Sequence, residues 1–424
     1  MRLILLDPSS PKRFHFDPLA LCRPIFELRV GMTTLAQKCV DKLHPAGVAC
    51  FVPPYLADAY REQTDWPVND TGVLAGDDLL IVNARVNAAH FDLPPTGPSQ
   101  AAFDADGDCL YARIAEGDIA RLENDSIDGF LASAKKTLPT APAEVATWNY
   151  TWDLVLENSE CLLADFAAAG RQGVEGNVEQ PSVIRGNDRE VYVAPGAVVH
   201  PMVVIDAENG PVYIDRGAQI HPFTRIEGPC YIGEGSILLG AKCRQGNSLG
   251  ANCRVGGEIE ASILQGYANK YHDGFLGHAY LGEWVNLGAM TTNSDLKNDY
   301  SNVSVVLDGR KPIDTGSRKV GSLIGDHTKT AIGTLLKTGA YVGAMGVIAG
   351  TGRPLPKFIP DFAWFTDGTV TEGFGKGRQY EAAKIVMRRR GRQWTAAQEA
   401  MWDEIYRITA PARHDAIQRA RRDR

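Results

Sequence analysis

The chain has 424 residues, 44% of them hydrophobic, and a formal net charge of −7. That length exceeds one ordinary domain, so two or three units are expected, and the acidic balance gives no reason to expect a nucleic-acid partner. Only roughly the last 40 residues are locally basic. Cys22, Cys39, Cys50, Cys109, Cys161, Cys230, Cys243 and Cys253 form no CxxC pair and no paired spacing, which reads as reduced thiols in a cytoplasmic protein. The apolar run at Leu3–Leu6 is too short for a signal peptide or a membrane span, and no longer one follows, so no membrane partner is expected.

Leu3 to Leu6 reads as a buried first strand that ends in the irregular loop Asp7-Pro8-Ser9-Ser10-Pro11. Lys12, Arg13, Arg23 and Arg29 follow, then Gly31 and a helical stretch from Met32 to Leu43. Val48 to Val52 reads as a second strand and Leu79 to Val82 as a third, running directly into Asn83-Ala84-Arg85. This alternation predicts an α/β, Rossmann-like domain over 1–170 with a mostly parallel sheet. Ligands of such sheets sit beyond the carboxyl ends of the strands, which places Asp7 to Arg13 and Asn83 to Arg85 at the ligand edge. The competing reading is that these are ordinary solvated loop residues. Residues 104–145 read as a polar insertion with short strands and a helix near Ile127 to Lys136. Thr151 to Ala169 reads as helix, and 171–189, rich in Gly, Asn and Gln, as a linker.

From 190 to 365 the governing signal is a six-residue beat. Ile214, Ile220, Ile226, Ile232 and Leu238 fall six apart, as do Val193, Val199 and Ile205, Leu249 and Val255, Leu281 and Leu287, and Val342 and Ile348. Neither a helical nor a strand period gives this spacing. A left-handed parallel β-helix does, with one inward apolar side chain on each of three short faces. The beat lapses between Leu238 and Leu249, from Gln265 to Tyr280, and over Ser294 to Val320, where loops are expected to leave the prism. Residues 350–356 are expected to end the coil, with Phe358, Ile359, Phe362, Trp364 and Phe365 capping its open end. The tail, 366–424, is expected to carry helices over Tyr380–Arg390 and Ala396–Ile408. Within it, Arg388-Arg389-Arg390 reads either as a solvated helical face or as a phosphate contact.

The segment from His272 to Ala289, with Leu276-Gly277, Leu281-Gly282 and Asn286-Leu287-Gly288-Ala289, resembles the catalytic coil of the bifunctional sugar-phosphate N-acetyltransferase/uridylyltransferase (GlmU-like) family. The fourteen-residue step from His272 to Asn286 is ungapped, as it is in that family. The likeness continues through Thr291-Thr292-Asn293 and Leu323-Ile324-Gly325-Asp326. Arg23-Pro24, Leu28-Arg29-Val30-Gly31, Asn83-Ala84-Arg85 and Phe358-Ile359-Pro360 resemble most a divergent branch of sugar nucleotidyltransferases.

The resemblance implies an N-acetyltransferase using acetyl-CoA, acting on an amino-sugar phosphate or nucleotide-activated amino sugar, with sites between the subunits of a homotrimer. His272 would be the general base, as suits an imidazole. Asn286 would hold the sugar, and Ala289, Asn293 and Thr330 would lie near the coenzyme. The family's phosphate-binding Lys is Glu260 here and its Tyr is Phe275, so Arg244, Arg254 and Lys270 are the cations placed to replace those contacts. In the first domain the family's Gly-rich phosphate loop is replaced by Leu5 to Arg13, with two Pro and no Gly. Its Mg²⁺-binding carboxylate is replaced by Asn83, a poorer ligand for that ion. Nucleotide contacts would then fall to Arg13, Arg23, Asn83 and Arg85, with Mg²⁺ only if this half is active. Two other functions fit the same residues: a sugar-1-phosphate nucleotidyltransferase whose β-helix serves trimerisation and regulation, or a non-catalytic nucleotide-sugar-binding scaffold. A zinc hydratase needs three converging imidazoles, whereas His272 and His278, six apart, would lie on successive faces.

Overall fold

The computed structural model describes residues 1–350 and 355–422; the part of the expected coil terminus at 351–354 lies outside the described residues. The first domain is built on a five-stranded sheet in the order 47–51, 2–6, 79–83, 109–114, 100–103. The first three strands run parallel, 109–114 pairs antiparallel with 79–83, and 100–103 pairs antiparallel with 109–114. The sheet is therefore mixed rather than mostly parallel, because residues 100–114, which run into the segment read as a polar insertion, form a hairpin along its edge. Leu3, Leu5, Leu80 and Val82 face one core and Ile4, Ile81 and Ala49 the other. Burial on both faces explains why these strands read as unbroken apolar runs. The helix Leu35–Leu43 starts later than expected, since Arg29–Val30 and Thr33–Thr34 pair as a hairpin around Gly31, whose φ is +67°. Thr34 caps that helix by accepting from the Gln37 N–H at 3.2 Å.

The solenoid follows as stacked parallel strands. One inward column reads Ile214, Ile232, Leu249, Leu264, Leu281, Ile324, Val342 and Ile359 in direct register. All are buried, so the six-residue beat is the spacing of the three inward columns. The segment expected as a linker is the first coil. Gly173–Val174, Asn177–Val178 and Val183–Gly186 pair with Tyr192–Val193, Val198–Val199 and Val204–Ala207. Only Val178 and Ile184 of it pack onto the core, while Val174 and Val183 are exposed, so it lacks the full inward beat of the later coils.

The aromatic stretch after 355 does not plug the coil. Phe358–Ile359 and Trp364–Thr366 pair onto it as a further turn. Ala416 and Ile417 instead join the β-helix core, from a third tail helix, Ala410–Arg422, beyond the two expected ones. That helix was hidden by its arginines. One of them, Arg413, is buried with its guanidinium 3.9 Å from the Tyr406 ring centroid. The first domain, one flank of the solenoid and the tail share a core that includes Phe26, Trp152, Tyr280, Leu323, Tyr341 and Trp402.

Candidate functional site

At the sheet's carboxyl edge, all four residues expected to hold a nucleotide are committed within the chain. Arg13 donates to Asp7 Oδ2 at 3.0 Å, to the Tyr55 hydroxyl at 3.0 Å and to the Ala20 and Arg23 carbonyls. Arg23 is buried against Asp326 of the solenoid. Asn83 donates to the Cys109 carbonyl at 2.7 Å while its Oδ1 accepts from the Arg85 N–H. Arg85 pairs with Asp104 at 3.0 Å. The partner of Arg23 lies 303 positions away in sequence, so no local pattern could have revealed that pairing.

A cavity of about 300 Å³ does open at this edge, lined by Asp7, Ser9, Ser10, Asp108, Asp128 and Lys135 among others. Its lining is more acidic than basic, the reverse of what a triphosphate needs. Asp7 keeps one carboxyl oxygen without a partner, and burial pushes its pKa up despite Arg13. With Asn83 spent on the backbone and Asp7 tied to Arg13, the donors here do not fit Mg²⁺. Among the described residues, no cluster of three or more His, Cys, Asp or Glu is placed to hold a metal.

In the solenoid, register explains which candidates face inward. Lys270 stands beside Val255, Thr330 beside Ile348, and Asn293 beside Leu336, all at core positions. Lys270 is therefore a structural cation and not a sugar contact. Its Nζ donates to the carbonyls of Gly256 and His272, and burial pushes its pKa down to about 8. The beat did not lapse after Gln265; it ran from Leu264 through Lys270 to Leu276 with a lysine in an apolar slot. Asn293 exchanges two 2.8 Å hydrogen bonds with the Gly277 backbone, and Thr330 accepts from the Gly288 N–H at 3.0 Å and bonds Thr291. Neither side chain is free for a coenzyme.

The outward candidates differ. Arg244 is paired with Glu260 at 2.6 Å, on the face beyond His272. Arg254 donates to the Gly235 and Cys253 carbonyls and has no carboxylate partner among the described residues. Asn286 accepts from Asn269 Nδ2 at 2.7 Å and lines a cavity on the outer face. Ala289 is half-buried at the following corner, its carbonyl taken by the Gly333 N–H.

His272 is exposed at a prism corner, and its ring makes no hydrogen bond to any described residue. The same corner on successive coils carries Met202, Phe223, Leu239, Met290 and Ile332, all exposed, with Phe223 at 72%. Backbone bonds from Phe223 to Met202 and from Met290 to Asp273 stack these corners along one edge. The repeated His200-Pro201-Met202 and His221-Pro222-Phe223 signalled this edge in the sequence. Four other histidines are engaged within the chain: His278 with Asp295 at 2.8 Å, His200 with Glu179 at 3.3 Å and stacked on His221, and His327 buried.

Residues 3–172 match the family model described as sugar nucleotidyl transferase. The chain is also similar to a bifunctional sugar-1-phosphate nucleotidylyltransferase/acetyltransferase of Sulfurisphaera tokodaii, 34% identical over 87 residues. That match covers 20% of this chain and 21% of the relative, so the chain spans about a fifth of the length of the curated relative it matches. Both matches support the GlmU-like resemblance. Among solved structures, an Arabidopsis UDP-N-acetylglucosamine acyltransferase aligns at 12% identity and TM-score 0.23, covering 59% of this chain and 95% of that one. A hexapeptide transferase family protein from Anaplasma phagocytophilum aligns at 11% identity and TM-score 0.13, covering 58% and 98%. No helix among the described residues is long and apolar enough to cross a membrane.

Proposed function

We propose that the protein is an acetyl-CoA-dependent N-acetyltransferase acting on an amino-sugar phosphate or nucleotide-activated amino sugar, with His272 as general base between the subunits of a homotrimer. The observation that carries this reading is the placement of an unengaged imidazole within a row of exposed apolar side chains on one prism edge. Single exposed hydrophobics are ordinary on a monomer, but an aligned row marks a contact surface. A straight edge repeated coil after coil suits further copies of the same prism, which would enclose His272. In the reaction His272 takes a proton from the sugar amine as the nitrogen attacks the thioester carbonyl. The oxyanion accepts from a backbone N–H at the Ala289 corner. The intermediate collapses to the amide and the coenzyme thiolate, which recovers the proton from the imidazolium. Asn286 would bind the sugar from the adjoining face. Eight free cysteines fit a reducing, cytoplasmic setting. The test is thiol release from acetyl-CoA with a panel of amino-sugar phosphates and nucleotide-amino sugars; no release with any of them would end the proposal.

The family match of residues 3–172 favours a second reading, sugar-1-phosphate nucleotidyl transfer. It is the weaker one because Arg13, Arg23, Asn83 and Arg85 are all spent on internal partners. Pyrophosphate release from a nucleoside triphosphate and a sugar 1-phosphate would support it.

A further inference from the structure

The outer face of the solenoid just before the His272 edge carries a column of residues in register: Arg254, Asn269, Asn286 and Lys329. The tail helix Lys376–Arg388 and the turn after it lay Val386, Arg389 and Arg390 against this column. Between them is a cavity of about 230 Å³, floored by Trp284 stacked on Tyr267 with centroids 4.3 Å apart. No carboxylate lines it.

We infer that this cavity is a binding site for the phosphate group of a nucleotide or sugar phosphate. The chain has brought like charges together without neutralising them. Among the described residues, Lys329, Arg389, Arg390 and Arg254 form no ion pair, although most other arginines near the solenoid do. Lys329 Nζ has only the His327 carbonyl, at 3.0 Å, and Arg390 only a long contact to the Asn252 carbonyl, at 3.5 Å. Burial pushes the Lys329 pKa down to about 8. Burial also lowers that of Arg254, which stands beside Asn269 in the same column next to the cavity, and Arg390 lowers it further. Holding cations this way is unfavourable unless an anion bridges them, and guanidinium pairs bind phosphate through paired, charge-assisted hydrogen bonds. His272 lies three residues beyond Asn269 at the adjoining corner, at most about 10 Å along the chain, so a ligand held here reaches toward that edge. Only this last point rests on the acetyl-transfer reading; phosphate binding does not.

The test is calorimetric titration of the full chain with pyrophosphate, 3′,5′-ADP and glucosamine 1-phosphate. It is run on the parent and on Arg389→Gln/Arg390→Gln and Lys329→Gln variants. At least one probe should bind the parent, more weakly as salt rises, and lose about tenfold or more in each variant, as expected when a charge-assisted hydrogen bond is removed. Preference for 3′,5′-ADP assigns the site to the coenzyme; preference for glucosamine 1-phosphate assigns it to the acceptor. A His272→Ala variant should bind as the parent does, which separates this site from the fate of the acetyl-transfer reading. Arg389 and Arg390 lie at the protein surface, so their replacement leaves the fold intact. No binding by any probe, or equal binding by parent and variants, overturns the inference.

Discussion

Arg23 and Asp326 clamp the first domain to the solenoid: Arg23 Nη1 lies 2.9 Å from Asp326 Oδ1, and its Nη2 donates to Asp326 Oδ2. Glu283 stands 3.7 Å from the same guanidinium. The pair is buried, so truncating one partner strands an uncompensated charge. Arg23→Ala should cost about 3–5 kcal/mol, measured by urea unfolding. A loss under about 1 kcal/mol would show that the clamp is dispensable.

The clamp depends on a glycine. A Cβ on Gly282 would sit 2.2 Å from Asp326 Oδ1 and 2.8 Å from its backbone N. Gly282→Ala should therefore push Asp326 away from Arg23 and destabilise by about 1–3 kcal/mol, an overpacking cost. In the Arg23→Ala background the added cost should shrink, because the pair is already broken; full additivity would contradict the link.

The beat of the solenoid was legible because every coil repeats the same inward slots, so Ile214, Ile220 and Ile226 announce one another. The polar residues in those slots were not legible. Lys270, Asn293 and Thr330 look like ligands in a list of residue types, and only register shows that they face inward. Likewise Arg23 and Arg85 suggested phosphate because their acidic partners, Asp326 and Asp104, are contributed by other segments; Arg13 finds its partner, Asp7, within its own loop. The mixed sheet escaped notice because strand 109–114 lies within the segment read as a polar insertion and strand 100–103 just before it was not recognised.

Asp17 makes stability pH-dependent in a particular direction. It is buried, one carboxyl oxygen has no partner, and burial raises its pKa from 3.8 to about 8 against the pull of Arg13. Between those values the folded chain holds a proton that the unfolded chain releases. This group's contribution is therefore full below about pH 4 and is lost as pH rises toward 8. Asp17→Asn should gain on the parent progressively from pH 5 to 8 in thermal unfolding. A constant offset across that range would contradict the assignment.

The apolar edge predicts assembly. Phe223→Asp combined with Ile332→Asp should convert the protein from trimer to monomer in light scattering, with the monomer's fold unchanged by circular dichroism. A parent that is already monomeric would remove the enclosure proposed around His272.

The central claim concerns one imidazole and is tested most directly by its removal. Acetyl-CoA turnover with the best amino-sugar acceptor should be compared in the parent and in His272→Ala, both shown to have the same oligomeric state. The account predicts a fall in kcat of about 10²–10⁴ with little change in KM, the scale of a lost general base. Unchanged turnover in His272→Ala would contradict it.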